Sequence, residues 1–167
     1  MVTLSARVAN FGVRWHQRAV VRRWPDAGKA AFEIAISGNS VGPDGVNSAL
    51  AIELDVATVD GKHQVGMRGA VKIDDEHLLA LVDAEIRVSI DREPPTDDEL
   101  IDLARGWGHD YLMGYLGVGL SDSAAQVGIL NVGLPPSYVL QPSHESAAEL
   151  VAAARSRAAA KADAESR

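Results

Sequence analysis

Three segments in the middle of the chain alternate apolar and polar side chains, and this alternation constrains the fold more than any other feature. The segments run from Leu50 to Val56, from Val65 to Ile73 and from Ala84 to Ile90. Asp60-Gly61 separates the first two and is typical of a tight hairpin turn, because glycine accepts a positive φ. Strict alternation buries one face of a strand and leaves the other in water. The sequence therefore predicts an antiparallel sheet.

Further strands are predicted on either side of this hairpin. Val2 to Trp15 alternates with a one-residue phase slip near Ala9-Asn10, which indicates a β-bulge. Phe32 to Ile36 alternates again after a predicted turn at residues 24–28. Leu78 to Val82 is a continuous apolar run that either extends the last strand or forms a short helical link. We therefore expect four to five strands.

A helix is predicted to begin at Thr96, directly after the extended pair Pro94-Pro95. Thr96 and Glu99 have the spacing of a capping box, in which each side chain bonds to the backbone amide of the other residue. Apolar residues then recur at helical spacing, at Leu100, Leu103, Ala104, Trp107, Tyr111, Tyr115 and Val118. Several glycines oppose this helix, each by about 1 kcal/mol relative to alanine. They indicate either close approach of another backbone or a break near Gly117.

The helix is followed by an apolar arm and a final helix. Ile129 to Leu140 is rich in large apolar residues, and Pro135-Pro136 within it excludes a helix or a central strand. Ser143 can cap a last helix that is very rich in alanine. The fold class is therefore α+β: an antiparallel sheet, a long helix, an extended arm and a terminal helix. We expect one domain over residues 1–142, then an alanine-rich helix and a frayed tail over residues 143–167.

Composition excludes several classes of function. The net charge of −7 argues against a surface that binds nucleic acid, and the absence of cysteine excludes disulfides and thiolate metal sites. No run approaches the roughly 18 apolar residues of a membrane-spanning helix. The first residues show no signal-peptide pattern, so we expect a cytoplasmic protein.

No catalytic signature is present. The five histidines are scattered without metal-binding spacing, and the sequence has no nucleophile elbow, phosphate loop or dinucleotide fingerprint. His109 stands beside Asp110, where a general base is conceivable, but a surface or partly buried structural histidine is the favoured interpretation. We expect no catalytic residue, no metal and no cofactor, and a protein that is not an enzyme.

Apolar residues exceed what one inward-facing helix surface needs. Leu112, Met113 and Leu116 lie off the stripe formed by the helix aromatics, so the helix must bury a second face. Ordinary core packing accounts for part of this surplus. The rest indicates a partner, either a second subunit or an apolar ligand such as an extended polypeptide.

Three short segments carry a family resemblance. They are Val88-Ser89-Ile90 at a strand end, Pro95-Thr96-Asp97-Asp98-Glu99-Leu100 at the helix start, and Ile129-Leu130-Asn131-Val132-Gly133-Leu134-Pro135-Pro136 in the arm. With the order of elements, they resemble the SecB family of bacterial export chaperones, above all the SecB-like chaperones that partner toxin–antitoxin pairs, many of them in actinobacteria. The resemblance spans roughly residues 84–140.

The resemblance implies an ATP-independent chaperone that holds unfolded or extended polypeptides in apolar grooves. Its clients would be preproteins or antitoxins, and the protein would assemble as a dimer of dimers with the long helices in the interface. The client-binding or interface residues would be Trp107, Tyr111, Met113, Tyr115, Leu130, Val132, Leu134, Tyr138 and Leu140.

This sequence departs from the family pattern at two places. Gly114 stands between Met113 and Tyr115, where the family often has a proline between aromatics. The resemblance also implies the SecA export ATPase as a partner, but the acidic docking position falls on Leu81. This departure favours an antitoxin-specific chaperone. A homo-oligomeric structural or assembly protein with no client explains the same apolar surplus and is the alternative.

Overall fold

The computed structural model describes residues 4–22, 40–41, 47–74, 78–91 and 93–165. Within these ranges a 3₁₀ turn, Leu4–Arg7, precedes five strands: β1 (Val8–Arg22), β2 (Ser40–Val41), β3 (Asn47–Val59), β4 (Lys62–Asp74) and β5 (Leu78–Ile90). The strands form one antiparallel sheet in the order β1-β5-β4-β3-β2. Four helices follow: α1 (Asp97–Arg105), α2 (Trp107–Gln126), α3 (Pro136–Val139) and α4 (His144–Glu165). The predicted α+β class is confirmed.

Local signals in the sequence determine the turn between β3 and β4, the first bulge and the start of β5. Asp60 and Gly61 form the turn between β3 and β4, and both have positive φ, 51° and 73°. The register shift between Val8 and Asn10 confirms the predicted bulge, and a second shift lies between Trp15 and Gln17. The apolar run that begins at Leu78 extends β5. The strand predicted at 32–36 and the turn predicted at 24–28 lie outside the described residues.

Helix α2 covers one face of the sheet. Leu112 and Leu116 point into the sheet over Gly69 of β4, where a Cβ would lie 2.9 Å from Leu116 Cδ1 and 3.0 Å from Leu112 Cδ2. Both leucines are fully buried, as are Ile86 and Leu120. Gly69 therefore lets α2 approach the sheet closely enough for its leucines to fill the core.

The predicted long helix is broken at Gly106, and the alternative of a break near Gly117 is wrong. Gly106 ends α1 and precedes α2, whereas Gly117 and Gly119 lie inside α2. At Gly108 a Cβ would lie 2.6 Å from the Leu103 carbonyl oxygen. The glycines at 106 and 108 thus allow the two helix ends to meet at a distance that side chains would prevent.

The predicted capping box begins α1. The Glu99 amide donates to Thr96 Oγ1 at 3.2 Å, and the Thr96 amide donates to Glu99 Oε2 at 2.9 Å. Such a cap contributes about 1 kcal/mol. Glu99 also pairs with Arg7 at 2.8 Å, so the same carboxylate joins the turn before β1 to the start of α1.

The arm and α4 cover the remaining part of the sheet. The arm has no regular structure before the single turn α3, and Asn131 within it has a positive φ of 62°, so the arm is not extended throughout. The predicted exclusion of a helix at Pro135-Pro136 is wrong for this turn, which begins at Pro136 because proline is tolerated at the first helical position. In α4, Ala147, Val151 and Ala154 are buried at helical spacing, and the helix packs on α1 and β3. None of the helices in the described ranges is both long enough and apolar enough to cross a membrane.

Candidate functional site

Five aromatic side chains meet where β1 runs beneath α2. Phe11 and Trp15 come from the strand, and Trp107, Tyr111 and Tyr115 come from the helix. The ring centroids of Phe11 and Tyr111 are 5.4 Å apart, and those of Trp107 and Tyr111 are 6.2 Å apart with nearly perpendicular planes. Trp15 and Tyr115 make a similar edge contact at 6.5 Å. These are favourable aromatic geometries, and they join the rings as a trio of Phe11, Trp107 and Tyr111 and a pair of Trp15 and Tyr115; we name the two sets together the aromatic cluster.

Trp15 is fixed by a glycine and an arginine. A Cβ at Gly119 would lie 2.5 Å from Trp15 Cη2, so only glycine leaves room for the indole against α2. The Arg18 guanidinium lies over the indole ring at 5.1 Å and donates to Ser123 Oγ at 3.1 Å. Arg18 thus ties the strand to the last turns of α2 while it stacks on Trp15.

A shallow, open apolar depression of ≈ 420 Å³ lies on the outer side of α2 beside this cluster, and all of its lining residues belong to α2; we name it the aromatic groove. It is lined by Asp110, Tyr111, Gly114, Tyr115 and Val118. Tyr111 is 53% exposed and Val118 is 58% exposed. A Cβ at Gly114 would meet nothing within 4 Å, so the middle of the groove is empty space. Exposed apolar surface of this kind is typical of a site that another polypeptide covers.

The arm presents a second set of apolar side chains. Leu130 is 73% exposed and Leu140 is 72% exposed. The arm itself is held in place, because Tyr138 donates its hydroxyl to Ser48 Oγ at 2.8 Å and Leu134 lies beside Gly117 of α2. Leu130 and Leu140 are therefore exposed on a segment that is anchored on both sides.

The predicted site residues fall into three groups. Tyr111, Leu130 and Leu140 are exposed. Trp107, Tyr115, Val132, Leu134 and Tyr138 are half-buried and pack against the core from its edge. Met113 is buried and does not line the aromatic groove.

Sequence reasoning missed Phe11 and Trp15. The sequence carried a signal for these two residues, since both lie on the same side of a strand in which apolar and polar residues alternate. Among the aromatics of α2, Tyr111 is exposed, and Trp107 and Tyr115 lie half-buried at the edge of the core. The side of the helix that packs on the sheet carries Leu112, Met113, Leu116 and Leu120. The second apolar face expected from the sequence is therefore the inner one.

Replacing Gly119 with alanine is expected to displace the indole of Trp15. The added methyl group would overlap the ring, and overpacking of this kind costs about 1–3 kcal/mol, against a gain of about 1 kcal/mol in helix propensity. The emission of Trp15 should shift to longer wavelength as the ring becomes more exposed. The measurement requires Trp24→Phe and Trp107→Phe in the same chain, and unchanged emission would contradict the packing described above.

The other face of the sheet carries a network of ion pairs. Glu85 accepts from His16 Nε2 at 2.9 Å and from Arg87 at 2.6 Å. A Cβ at Gly66 would lie 2.6 Å from Glu85 Oε1, so this glycine makes room for the carboxylate. Burial alone would raise the pKa of Glu85, but the hydrogen bonds from Arg87 and His16 outweigh it and hold that pKa below its ordinary value. The network thus links β1 to β5.

Because the folded state lowers the pKa of Glu85, ionised Glu85 stabilises the fold above the pKa of the unfolded chain. This contribution is lost as the pH falls through the folded pKa. Glu85→Gln is therefore expected to lower the free energy of unfolding at about pH 7. It should also flatten the decline of that free energy between about pH 6 and about pH 3. Urea titrations of the wild-type protein and the Glu85→Gln variant across this pH range measure the free energy of unfolding. Parallel pH profiles for the two proteins would contradict the prediction.

His109 is buried in α2, and no described residue supplies a hydrogen-bond partner for its Nδ1 atom. Asp110 Oδ1 is 3.7 Å from Nδ1, beyond hydrogen-bonding distance. The predicted surface or partly buried position is therefore wrong, although a structural role fits this burial. Within the described ranges, no three His, Asp or Glu side chains converge in a way that could hold a metal ion.

Comparisons with known proteins identify the fold. No protein-family model matches the sequence, and a search of curated proteins finds no significant match. Among solved structures, the chain is similar to a SecB-like chaperone of Mycobacterium tuberculosis in complex with a ChAD peptide from the HigA1 antitoxin. The TM-score is 0.50 at 14% sequence identity, and the match covers 79% of this chain and 88% of the other. The fold is therefore SecB-like.

Proposed function

We propose that the protein is an ATP-independent holding chaperone that binds extended apolar segments of unfolded polypeptides. The observation that carries this proposal is the aromatic groove, an open apolar surface on a helix whose opposite side is buried against the sheet. Tyr111 and Val118 are exposed there although the core below them is filled. A groove with few polar groups binds many apolar sequences, because its contacts depend on area more than on hydrogen-bond geometry.

The chemistry of the groove suits an extended segment. It runs along the outer side of α2, and the empty space over Gly114 admits an apolar side chain between Tyr111 and Val118. Tyrosine and tryptophan offer large contact area at a low cost in side-chain entropy. The exposed Leu130 and Leu140 of the arm supply further apolar contacts for a long client.

An antitoxin is the client class that we propose. The structural neighbour is itself in complex with an antitoxin peptide, and this supports a polypeptide client for a chain with the same fold. Leu81 is buried and apolar, which disfavours SecA as a partner and a role in export. In this proposal the chain works in the cytoplasm as a dimer of dimers, and α2 contributes to the contact between dimers.

Suppression of aggregation tests the proposed function. An unfolded client protein is diluted from denaturant, and its light scattering is recorded with and without this protein. Scattering should fall in proportion to added protein and become small near one tetramer per client. No suppression at that ratio would refute the chaperone proposal. A stable oligomer that neither suppresses aggregation nor binds apolar peptides would support the structural or assembly protein.

A further inference from the structure

The second β-bulge of β1 contains one extra residue. Trp15 pairs with Ala84 of β5. Gln17 pairs with Asp83, which directly neighbours Ala84 in the chain. His16 therefore stands in β1 without an opposite residue in β5, as the extra residue of a bulge does. Side chains alternate between the two faces of a regular strand, so the bulge shifts this alternation by one residue from here on.

The contacts of the aromatic cluster depend on this shift. Trp15 lies against Gly119 of α2, and Arg18 stacks on the indole at 5.1 Å. Arg18 also donates to Ser123 Oγ of α2 at 3.1 Å, so both side chains lie on the α2 side of β1. Three positions separate them, and a regular strand would turn one of the two to the opposite face. The stack therefore requires the bulge to lie between Trp15 and Arg18.

His16 points to the opposite face of the sheet, where Glu85 holds it. Its Nε2 atom donates to Glu85 Oε2 at 2.9 Å. The carboxylate is itself fixed, because it is buried and accepts from Arg87 at 2.6 Å, and Gly66 leaves the room that it occupies. The hydrogen bond to this fixed group keeps the extra residue of the bulge at position 16.

The bulge is connected to the aromatic groove through one ring contact. Trp15 and Tyr115 make an edge contact, with ring centroids 6.5 Å apart. Tyr115 lines the aromatic groove. A change in the position of Trp15 therefore moves one wall of the groove, although His16 lies on the opposite face of the sheet.

We propose that His16 is a positioning residue for the aromatic cluster. Its hydrogen bond to Glu85 fixes the bulge, and the bulge turns Trp15 and Arg18 onto the same face of the sheet. The inference rests on the proposed function in one respect, since it makes client binding at the aromatic groove depend on His16. The placement of Trp15 itself does not depend on what the groove binds.

Two substitutions at position 16 test the hydrogen bond. His16→Leu removes the donor, whereas His16→Gln is the matched control, because the amide nitrogen of glutamine reaches nearly the same place as Nε2 of histidine. Both are made in the full chain with Trp24→Phe and Trp107→Phe, so that the emission comes from Trp15 alone. Circular dichroism verifies that each variant is folded. If the leucine variant does not fold, His16→Asn replaces it, because its shorter amide does not reach Glu85.

We expect the emission of Trp15 to shift to longer wavelength in the His16→Leu protein, because the indole loses its fixed place against α2, and to stay unchanged in the His16→Gln protein. The dissociation constant for a fluorescent unfolded client should rise about fivefold in the leucine variant, as expected for the loss of one hydrogen bond. The glutamine variant should bind the client as the parent chain does.

Arg87→Met controls for a general weakening of the ion pairs. It removes a different partner of Glu85 and leaves β1 unchanged. We expect it to lower the free energy of unfolding without shifting the emission of Trp15. A purely structural role of the network would instead shift the emission in both the Arg87→Met and the His16→Leu proteins.

Equal emission in the leucine and glutamine variants would overturn the inference, as would an equal shift in the Arg87→Met protein. A shift without any loss of client binding would also overturn it, because the bulge would then have no effect on the groove. If these results occur while the wild-type protein suppresses aggregation, only this inference fails. If the wild-type protein neither binds the client nor suppresses aggregation, the proposed function fails, and the emission still decides whether His16 places Trp15.

Discussion

Replacing Tyr111 and Val118 together with serine is expected to weaken binding of an unfolded client about thirtyfold, or about 2 kcal/mol. The two side chains supply the largest exposed apolar area in the aromatic groove. A client that covers them gains most of the burial energy there, and serine offers almost none. The dissociation constant for a fluorescent unfolded client measures the effect, and circular dichroism should show an unchanged fold because neither side chain fills the core.

The matched control keeps the apolar area of the groove. Tyr111→Phe combined with Val118→Ile should bind the client at least as well as the wild-type protein, since it removes one hydroxyl and adds one methylene. If both double variants lose binding equally, a specific polar contact and not apolar area governs recognition. If neither loses binding, the client lies elsewhere, and the exposed Leu130 and Leu140 of the arm become the next positions to change.

The sheet is the part of the fold that local sequence encodes best. Alternation identifies β3 and β4, and the second half of β5, because apolar residues there alternate with polar ones. In β5 both faces are buried from Leu78 to Ile86, so the expected wet face is wrong for that strand. The Asp60-Gly61 turn is equally local, since its two positive φ angles require particular residue types. Such signals depend on neighbours in sequence, and they can be recognised without knowledge of the tertiary structure.

The break in the long helix depends on contacts that the sequence does not display. Gly106, Gly114, Gly117 and Gly119 all oppose helix formation by similar amounts. Gly117 and Gly119 remain helical because α2 packs on the sheet and on Trp15, whereas the chain turns at Gly106, where α1 leaves to pack on α4. Tertiary packing therefore decides which of several equivalent glycines becomes the break.

The orientation of α2 was ambiguous for a related reason. Both sides of this helix are apolar, so periodicity alone does not show which side packs on the sheet. The shape of the sheet decides it, since the gap over Gly69 fits the branched ends of Leu112 and Leu116. The aromatic rings then lie at the edge, where Phe11 and Trp15 of β1 meet them. Phe11 and Trp15 are far from α2 in the sequence, and their contact with the rings of α2 was not predicted.

Replacing Gly114 with leucine is expected to raise the melting temperature by about 2–4 °C while client binding falls about tenfold. Leucine forms helix better than glycine by nearly 1 kcal/mol, and a Cβ at this position meets nothing within 4 Å. The new side chain would instead occupy the aromatic groove. Thermal denaturation and client binding would be measured on the same preparation, together with the molar mass from light scattering.

Gly117→Ala is the control for helix propensity, because its Cβ would make an ordinary contact of 3.7 Å with Leu134 and would not enter the groove. It should raise the melting temperature and leave binding unchanged. The molar mass of the Gly114→Leu protein then separates the two roles proposed for α2. An unchanged oligomer with weakened client binding assigns the aromatic groove to the client, whereas a smaller oligomer assigns it to the contact between subunits. If Gly114→Leu changes neither client binding nor the molar mass of the oligomer, the aromatic groove serves neither role. The proposed function then loses the observation that carries it.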